Sequence, residues 1–405
     1  MSVIEVVPEL PLIKNRDRLS PRLPFDTMRN TGPLLRFRYP NGVVGWLTTN
    51  VAVFREVLGD PRFHAKRFRG EPQTGVVSVE VPEMPGFIPG LNGPEHLRVR
   101  RLAAGDFSVK HIRDLRSFIA GVVDKYLDRL AEQGPPLDLY STFCLPIPSE
   151  VIAHILGVPE DSKQAFQDAA RLTIGGQAKA LEDPDAPRRA VAELHRIIAE
   201  NAARKRAHPE DDLLTRLTQA EPALSDEEIC GLCTNLLLAG HESTSSTAAL
   251  SVIQLLAQPE QLRNFRADPE SLGPAIEELA RLRTILTDGG ASIPRLATED
   301  VEVAGQRVRA GEWVMLSNGM ANVDPASCPM RPFELDLSRD RPSSVTFGYG
   351  PHTCLGQHLA RAELQIMLSG LFDRFPGLRT ELSTNELPWL ESGFGYRVAE
   401  LIVRW

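Results

Sequence analysis

Around Cys354 the chain reads Phe347-Gly-Tyr-Gly-Pro-His-Thr-Cys354-Leu-Gly-Gln-His-Leu-Ala-Arg361. Gly348, Gly350 and Pro351 specify a tight, irregular loop, and from Leu355 onward Leu359, Leu364 and Met367 mark the inner side of a helix. Cys354 is therefore expected at a helix N-terminus, where free backbone N–H groups and the dipole favour an anion. That setting lowers a thiol pKa and favours thiolate, which is both a nucleophile and a metal ligand. Gly356 leaves room for something flat to approach the loop.

A second group of chemistry-bearing residues is Ala239-Gly240-His241-Glu242-Ser243-Thr244, where polar side chains interrupt an otherwise apolar pattern. A third is Glu278 with Arg281, three apart and so on one helical face. Other readings of the cysteine loop fail on detail. Gly348-Tyr-Gly350 suggests a dinucleotide fingerprint, but Thr353 fills the third glycine slot and no βαβ unit follows. No hydrolase signature accompanies a nucleophilic cysteine. Cys230-Gly-Leu-Cys233 is half of a zinc pattern without its second pair. His241-Glu242 does not begin a zincin motif, because Ser245 stands in place of the second His. A structural cysteine at a helix start remains an open reading; a thiolate here could also serve haem iron, to which such a ligand donates electron density and so favours O–O cleavage.

These residues need elements to hold them. Leu34 to Tyr39 and Gly45 to Thr48 read as two strands around a Pro-Asn-Gly turn. Helical spacing runs over Arg113 to Ala131, Ser149 to Leu156, Lys163 to Leu172 and Arg188 to His208. Short strands are expected at Val301 to Val303, Arg307 to Val308 and Ala399 to Trp405. The longest pattern opens on the capping box Ser225-Asp-Glu-Glu228 and runs to about Ala257. About 30 residues span ~45 Å, so this helix must cross the core. Polar residues at its centre need a reason.

The 405 residues carry 42% hydrophobic and 24% charged side chains, with no linker, charge block or repeat, so one domain over 1–405 is expected. A net charge of −8 argues against a general nucleic-acid binder. The N-terminus lacks the pattern of a signal or anchor, and no apolar run approaches ~20 residues, so a cytoplasmic protein without membrane contact is expected. Five cysteines without a signal peptide do not read as a disulfide framework.

The cysteine loop resembles the haem-binding segment of the cytochromes P450, Phe-Gly-x-Gly-x-His-x-Cys-x-Gly, at every fixed position from Phe347 to Gly356. Further landmarks of that family follow in its order. Pro94-Glu-His96-Leu-Arg-Val-Arg100 resembles its His-x-x-x-Arg helix, and Glu278-Leu-Ala-Arg281 its Glu-x-x-Arg helix. Ile293-Pro-Arg295, Ala321-Asn-Val-Asp-Pro325 and Phe333-Glu-Leu-Asp-Leu-Ser-Arg339 come next. Pro146-Ile-Pro148 through Leu156-Gly-Val-Pro159 is similar to soluble bacterial members.

The resemblance implies a mainly α fold with small peripheral β-sheets (α+β), and haem b between the long central helix and the cysteine-loop helix. It implies Cys354 as iron ligand and His96, Arg100, Arg295 and His352 as partners of the haem propionates. Ala239, Gly240, Phe347, Gly348 and Gly356 would also border the haem. Arg98 and Arg101 would point outward; they and Lys110 would be available to an acidic partner. Glu278, Arg281 and Arg339 would form a buried structural ion cluster. Glu242, Ser243 and Thr244 would serve proton delivery on the oxygen side, with the helix locally opened at Ala239-Gly240. Serine occupies the family's usual threonine slot at 243, and Val323 stands where arginine is frequent.

By the same resemblance, Val77, Val79, Met84, Phe87, Ile88, Ile174, Leu236, Ile293 and Phe394 would line an apolar substrate pocket. The activity implied is a monooxygenase acting on a largely apolar small molecule in secondary metabolism. It would be a monomer fed by a ferredoxin or flavodoxin and an NAD(P)H-dependent reductase. Two other uses of the ligand remain open at this point: non-catalytic haem electron transfer or gas sensing, and isomerase or dehydratase chemistry without dioxygen.

Overall fold

The computed structural model describes residues 28–38, 44–65, 84–174, 183, 185–268, 271–282, 293–339, 344–392 and 395–405. Twelve helices among them matter here. They are α1 Val51–Gly59, α2 Gly93–Ala104, α3 Val109–Gln133, α4 Pro146–Leu156, α5 Glu160–Ile174, α6 Ala186–Ala207, α7 Leu213–Thr218, α8 Asp226–Leu256, α9 Pro259–Ala267, α10 Leu272–Leu282, α11 Asn318–Asn322 and α12 Gln357–Arg374. The strands are β1 Leu34–Arg38, β2 Val44–Thr48, β3 Phe63–His64, β4 Leu137–Asp138, β5 Ile293–Ala297, β6 Val301–Val303, β7 Gln306–Val308, β8 Trp313–Leu316, β9 Trp389–Ser392, β10 Gly395–Val398 and β11 Ile402–Val403. A mainly helical protein with small sheets results, as the sequence predicts.

The largest sheet has the order β1-β2-β8-β5-β3 and is antiparallel except for the β2–β8 pair. Its face packs Trp46, Val314 and Leu316 against Phe54 and Val57 of α1. The main core is helical: Ile119 and Leu130 of α3, Ile147 and Val151 of α4, Leu232 and Val252 of α8, and Met367 and Leu371 of α12 belong to one cluster of buried side chains.

The capping box at α8 is present, with Ser225 Oγ accepting from Glu228 N at 3.1 Å and Glu228 Oε2 accepting from Ser225 N at 2.9 Å. Beyond that cap, α8 runs 31 residues without a break. The expected opening at Ala239-Gly240 is thus not seen; hydroxyls of Ser243, Ser245, Thr247 and Ser251 instead donate to carbonyls one turn back within the intact ladder. The C-terminal strand is also shorter than predicted. Only Ile402 and Val403 pair with β4, and the preceding residues form the β9–β10 hairpin.

The hairpin-like turn at Met84–Phe87 is pressed into the first turns of α8. A Cβ on Gly86, whose φ is +81°, would fall 2.1 Å from Glu228 O, and a Cβ on Gly231 would fall 1.9 Å from Pro85 O. Two glycines from distant segments therefore interlock backbone against backbone. Arg98 of α2 adds an ion pair to Glu228. This corrects the expectation that Arg98 is a free, outward charge.

Candidate active site

The cysteine loop is shaped by its glycines. Gly348 and Gly350 adopt φ of 76° and 68°, and a Cβ on Gly350 would lie 2.8 Å from Leu58 O, so both conformation and space exclude a side chain there. Cys354 N donates to Phe347 O at 2.8 Å and closes the loop, while Thr353 O accepts from Arg100 Nη2 at 2.5 Å. Arg361 lies over the Phe347 ring at 4.2 Å and reaches back to Glu277 of α10 and Gln357. A Cβ on Gly356 would meet nothing within 4 Å, so the space beside the loop is open.

Cys354 stands three residues ahead of α12, which begins at Gln357 rather than Leu355. Cys354 is exposed as a residue, yet protein surrounds its thiol closely enough that burial raises the pKa. A sulfur on the wall of a hollow satisfies both observations. The Gly356 N–H and the cations Arg100 and Arg361 act the other way but do not overcome burial. The expected lowering of the thiol pKa is therefore corrected: the helix terminus is one turn off, and desolvation outweighs the nearby donors. A metal ion would deprotonate such a thiol outright.

Beside the loop four basic side chains converge. His96 is 1% exposed and its ring lies 4.0 Å from that of His352. Burial, then Arg295, His96 and Arg100, pull His352 down to about 3. Burial brings Arg295 down to about 10, and its guanidinium donates to Pro294 O at 2.9 Å. His96 Nε2 is buried without a hydrogen-bond partner. Among the described residues no carboxylate acts on His96, Arg100, Arg295 or His352. Four such groups crowded together call for an anion, and a ligand with two carboxylates fits.

The centre of α8 supplies another wall. Ala239 is exposed, and Leu238, Gly240 and Ser243 are half-buried, while Ile229–Leu237 and Thr244–Leu255 are buried. A core helix with an accessible mid-point faces a hollow in the fold. Ser243 Oγ donates to Ala239 O at 2.5 Å on this stripe, whereas Thr244 is turned into the core. Glu242 is 5% exposed; burial raises its carboxyl to about 7 against the opposing effect of Arg397. Glu242 Oε1 lies 3.0 Å from Arg397 Nε, from β10, an ion-pair partner that no sequence spacing announced.

Among the expected pocket residues, Phe87 and Ile293 are half-buried. Met84, Ile88 and Leu236 are buried, the latter two within the main core. Val77, Val79, Phe394 and the side chain of Ile174 lie outside the described residues. Away from these walls, Glu278 receives Arg281 Nε at 2.7 Å and Arg339 Nε at 3.1 Å. Cys230 and Cys233 are buried with raised thiol pKa values, and no metal-like group of three His, Cys, Asp or Glu exists among the described residues.

The family model for cytochrome P450 matches residues 270–386, the stretch holding the ion cluster and the cysteine loop. Nocardicin C N-oxygenase from Nocardia uniformis subsp. tsuyamanensis is 38% identical over 94% of this chain and 94% of its own length. The chain belongs to the cytochrome P450 family. Pentalenic acid synthase from Streptomyces avermitilis is 37% identical, covering 98% of each chain. The crystal structure of cytochrome P450 MoxA from Nonomuraea recticatena superposes with a TM-score of 0.88 at 36% identity over 98% of both chains. This P450 is accordingly a haem monooxygenase, and haem is its cofactor, held in the family through a cysteine thiolate. Among its described residues no helix is long and apolar enough to cross a membrane.

Proposed function

We propose that Cys354 is the thiolate ligand of the haem iron, with His96, Arg100, Arg295 and His352 binding the propionates. The observation that carries this reading is the convergence of those four basic groups, unopposed by any described carboxylate, beside an accessible cysteine. Haem held by these residues would supply the activation of dioxygen, with electrons and protons delivered to the site and one oxygen atom going to the substrate. Phe347, Gly348 and Gly356 shape the sulfur's side of the site. Ala239 keeps the other wall free of bulk, while Gly240 lets the helix lie close to Ile152 of α4. Ser243 donates a hydrogen bond to Ala239 O, leaving its hydroxyl lone pairs to accept one on the stripe facing the hollow. Glu242, titrating near neutrality, both holds and releases protons at working pH. Thr244, buried beside them, supports the helix.

The substrate in this reading is a largely apolar small molecule of secondary metabolism. Half-exposed Phe87 and Ile293 and the activities named for the two relatives above support it. Electrons come from a ferredoxin or flavodoxin and its NAD(P)H-dependent reductase; exposed Arg101 and Lys110 are the available cations, with Arg98 engaged by Glu228. The protein acts as a cytoplasmic monomer. The test is the reduced carbon-monoxide spectrum. The parent protein is expected to absorb near the wavelength that names the family, and Cys354→Ala to lose that band while keeping its far-ultraviolet circular dichroism. A variant that keeps the band overturns the assignment.

A further inference from the structure

Glu242 is bound on one side only. Its Oε1 meets Arg397 Nε at 3.0 Å, although that N–H is not aligned for a hydrogen bond, and its Oε2 is buried without a partner. Arg397 reaches α8 from the β9–β10 hairpin and lies 5.7 Å from the centre of the Tyr140 ring. Tyr140 starts a π-helical turn, Tyr140–Cys144, that also packs on α8. Its hydroxyl is pushed up to about 12 by burial, so it stays neutral beside the pair. Arg397 and Tyr140 are the charged or titratable groups from neighbouring elements whose fields link to Glu242 among the described residues. Ser246, one turn along α8, also borders Tyr140.

We propose that Arg397 is a positioning residue for proton delivery: its guanidinium anchors Oε1 of Glu242 and so reserves Oε2 as the oxygen that takes up and passes on the proton. The proton leaves Oε2 toward the hydroxyl stripe of α8, and the carboxylate left behind is stabilised by Arg397 until it is reprotonated from water. Removing the guanidinium frees the carboxyl to rotate and strips the ionised form of its one counter-charge. Proton transfer then slows at the release step. Because Arg397 stands on the C-terminal hairpin, seating of that hairpin becomes a condition for proton supply. This inference rests on the proposed role of Glu242.

The test uses the resting holoenzyme. Infrared difference spectra across pH follow the Glu242 carboxyl band, identified by its loss in Glu242→Gln. Arg397→Gln is expected to move that titration upward by about one pH unit or more, and Arg397→Lys to restore most of the shift. In turnover with surrogate redox partners, Arg397→Gln is expected to raise the solvent deuterium isotope effect and lower product formed per NADPH, again with rescue by lysine. If Glu242→Gln leaves isotope effect and coupling unchanged, the role of Glu242 itself falls. If Glu242→Gln alters them but Arg397→Gln shifts neither the titration nor the isotope effect, the role of Arg397 falls alone. All variants are first checked for the carbon-monoxide band, and a lysine variant that folds but gives no rescue also counts against the proposal.

Discussion

Single side chains in this P450 are poised by burial more than by partners. Cys354 shows it, since desolvation raises its thiol despite two cations and a backbone donor. Glu363 of α12 shows it more fully: it is 1% exposed, Oε1 has no hydrogen-bond partner, and burial raises its carboxyl to about 8. The sign of the resulting pH dependence follows directly. A folded-state pKa above the ordinary 4.5 means that the native protein keeps a proton the unfolded chain releases. Stability from this group is therefore full below about pH 4.5 and declines as pH rises toward 8. Glu363→Gln, which keeps the shape and cannot ionise, is expected to flatten that decline by an amount on the order of a few kcal/mol. Thermal melts at pH 5 and pH 8 check it; parallel curves for parent and variant count against the prediction. Glu242 contributes the same sign over a narrower window ending at about 7.

At the scale of elements, the central helix is positioned by what touches its first two turns. The capping box satisfies its opening N–H groups, and the Arg98 ion pair joins it to α2. Gly86 and Gly231 let the Met84–Phe87 turn approach backbone to backbone. Gly231→Ala forces a methyl into the carbonyl of Pro85, a rigid neighbour that cannot swing away. A loss of about 1–3 kcal/mol is expected, read as a lower urea midpoint with an unchanged slope. An unchanged midpoint indicates that the turn moves off the helix at little cost. The helix period predicted α8 to within a residue at its start, because a capping box is a local signal. Glycine in a helix is locally a weakness, and its purpose at 231 appears only when Pro85 is set against it.

At the scale of the whole molecule, the segments flanking the cysteine loop are tied together by buried polar groups. Arg281 joins Glu278 to the carbonyls of Asn322 and Pro332, and Arg339 shares the same carboxylate. Asn322 in turn donates to Arg281 O and accepts from Val345 N, just before the loop. Glu278→Gln leaves two guanidinium groups without their common carboxylate, for a loss of about 3–5 kcal/mol; denaturant titration measures it, and a midpoint equal to the parent's contradicts it. The sequence alone determined the helix-rich class, the long core helix and the residues able to do chemistry, since periodicity, caps and a fixed-spacing loop are all local. It also brought His96, Arg100, Arg295 and His352 forward by resemblance, though these come from three separate stretches of chain. Only the tertiary structure decided their convergence, the intact ladder of α8, the ion pair of Arg98 and the pairing of Glu242 with Arg397. The reason is physical. Contacts between distant segments depend on how elements pack, and burial, which raises Cys354, Glu242 and Glu363 alike, is a property of the assembled surroundings that no short stretch of sequence contains.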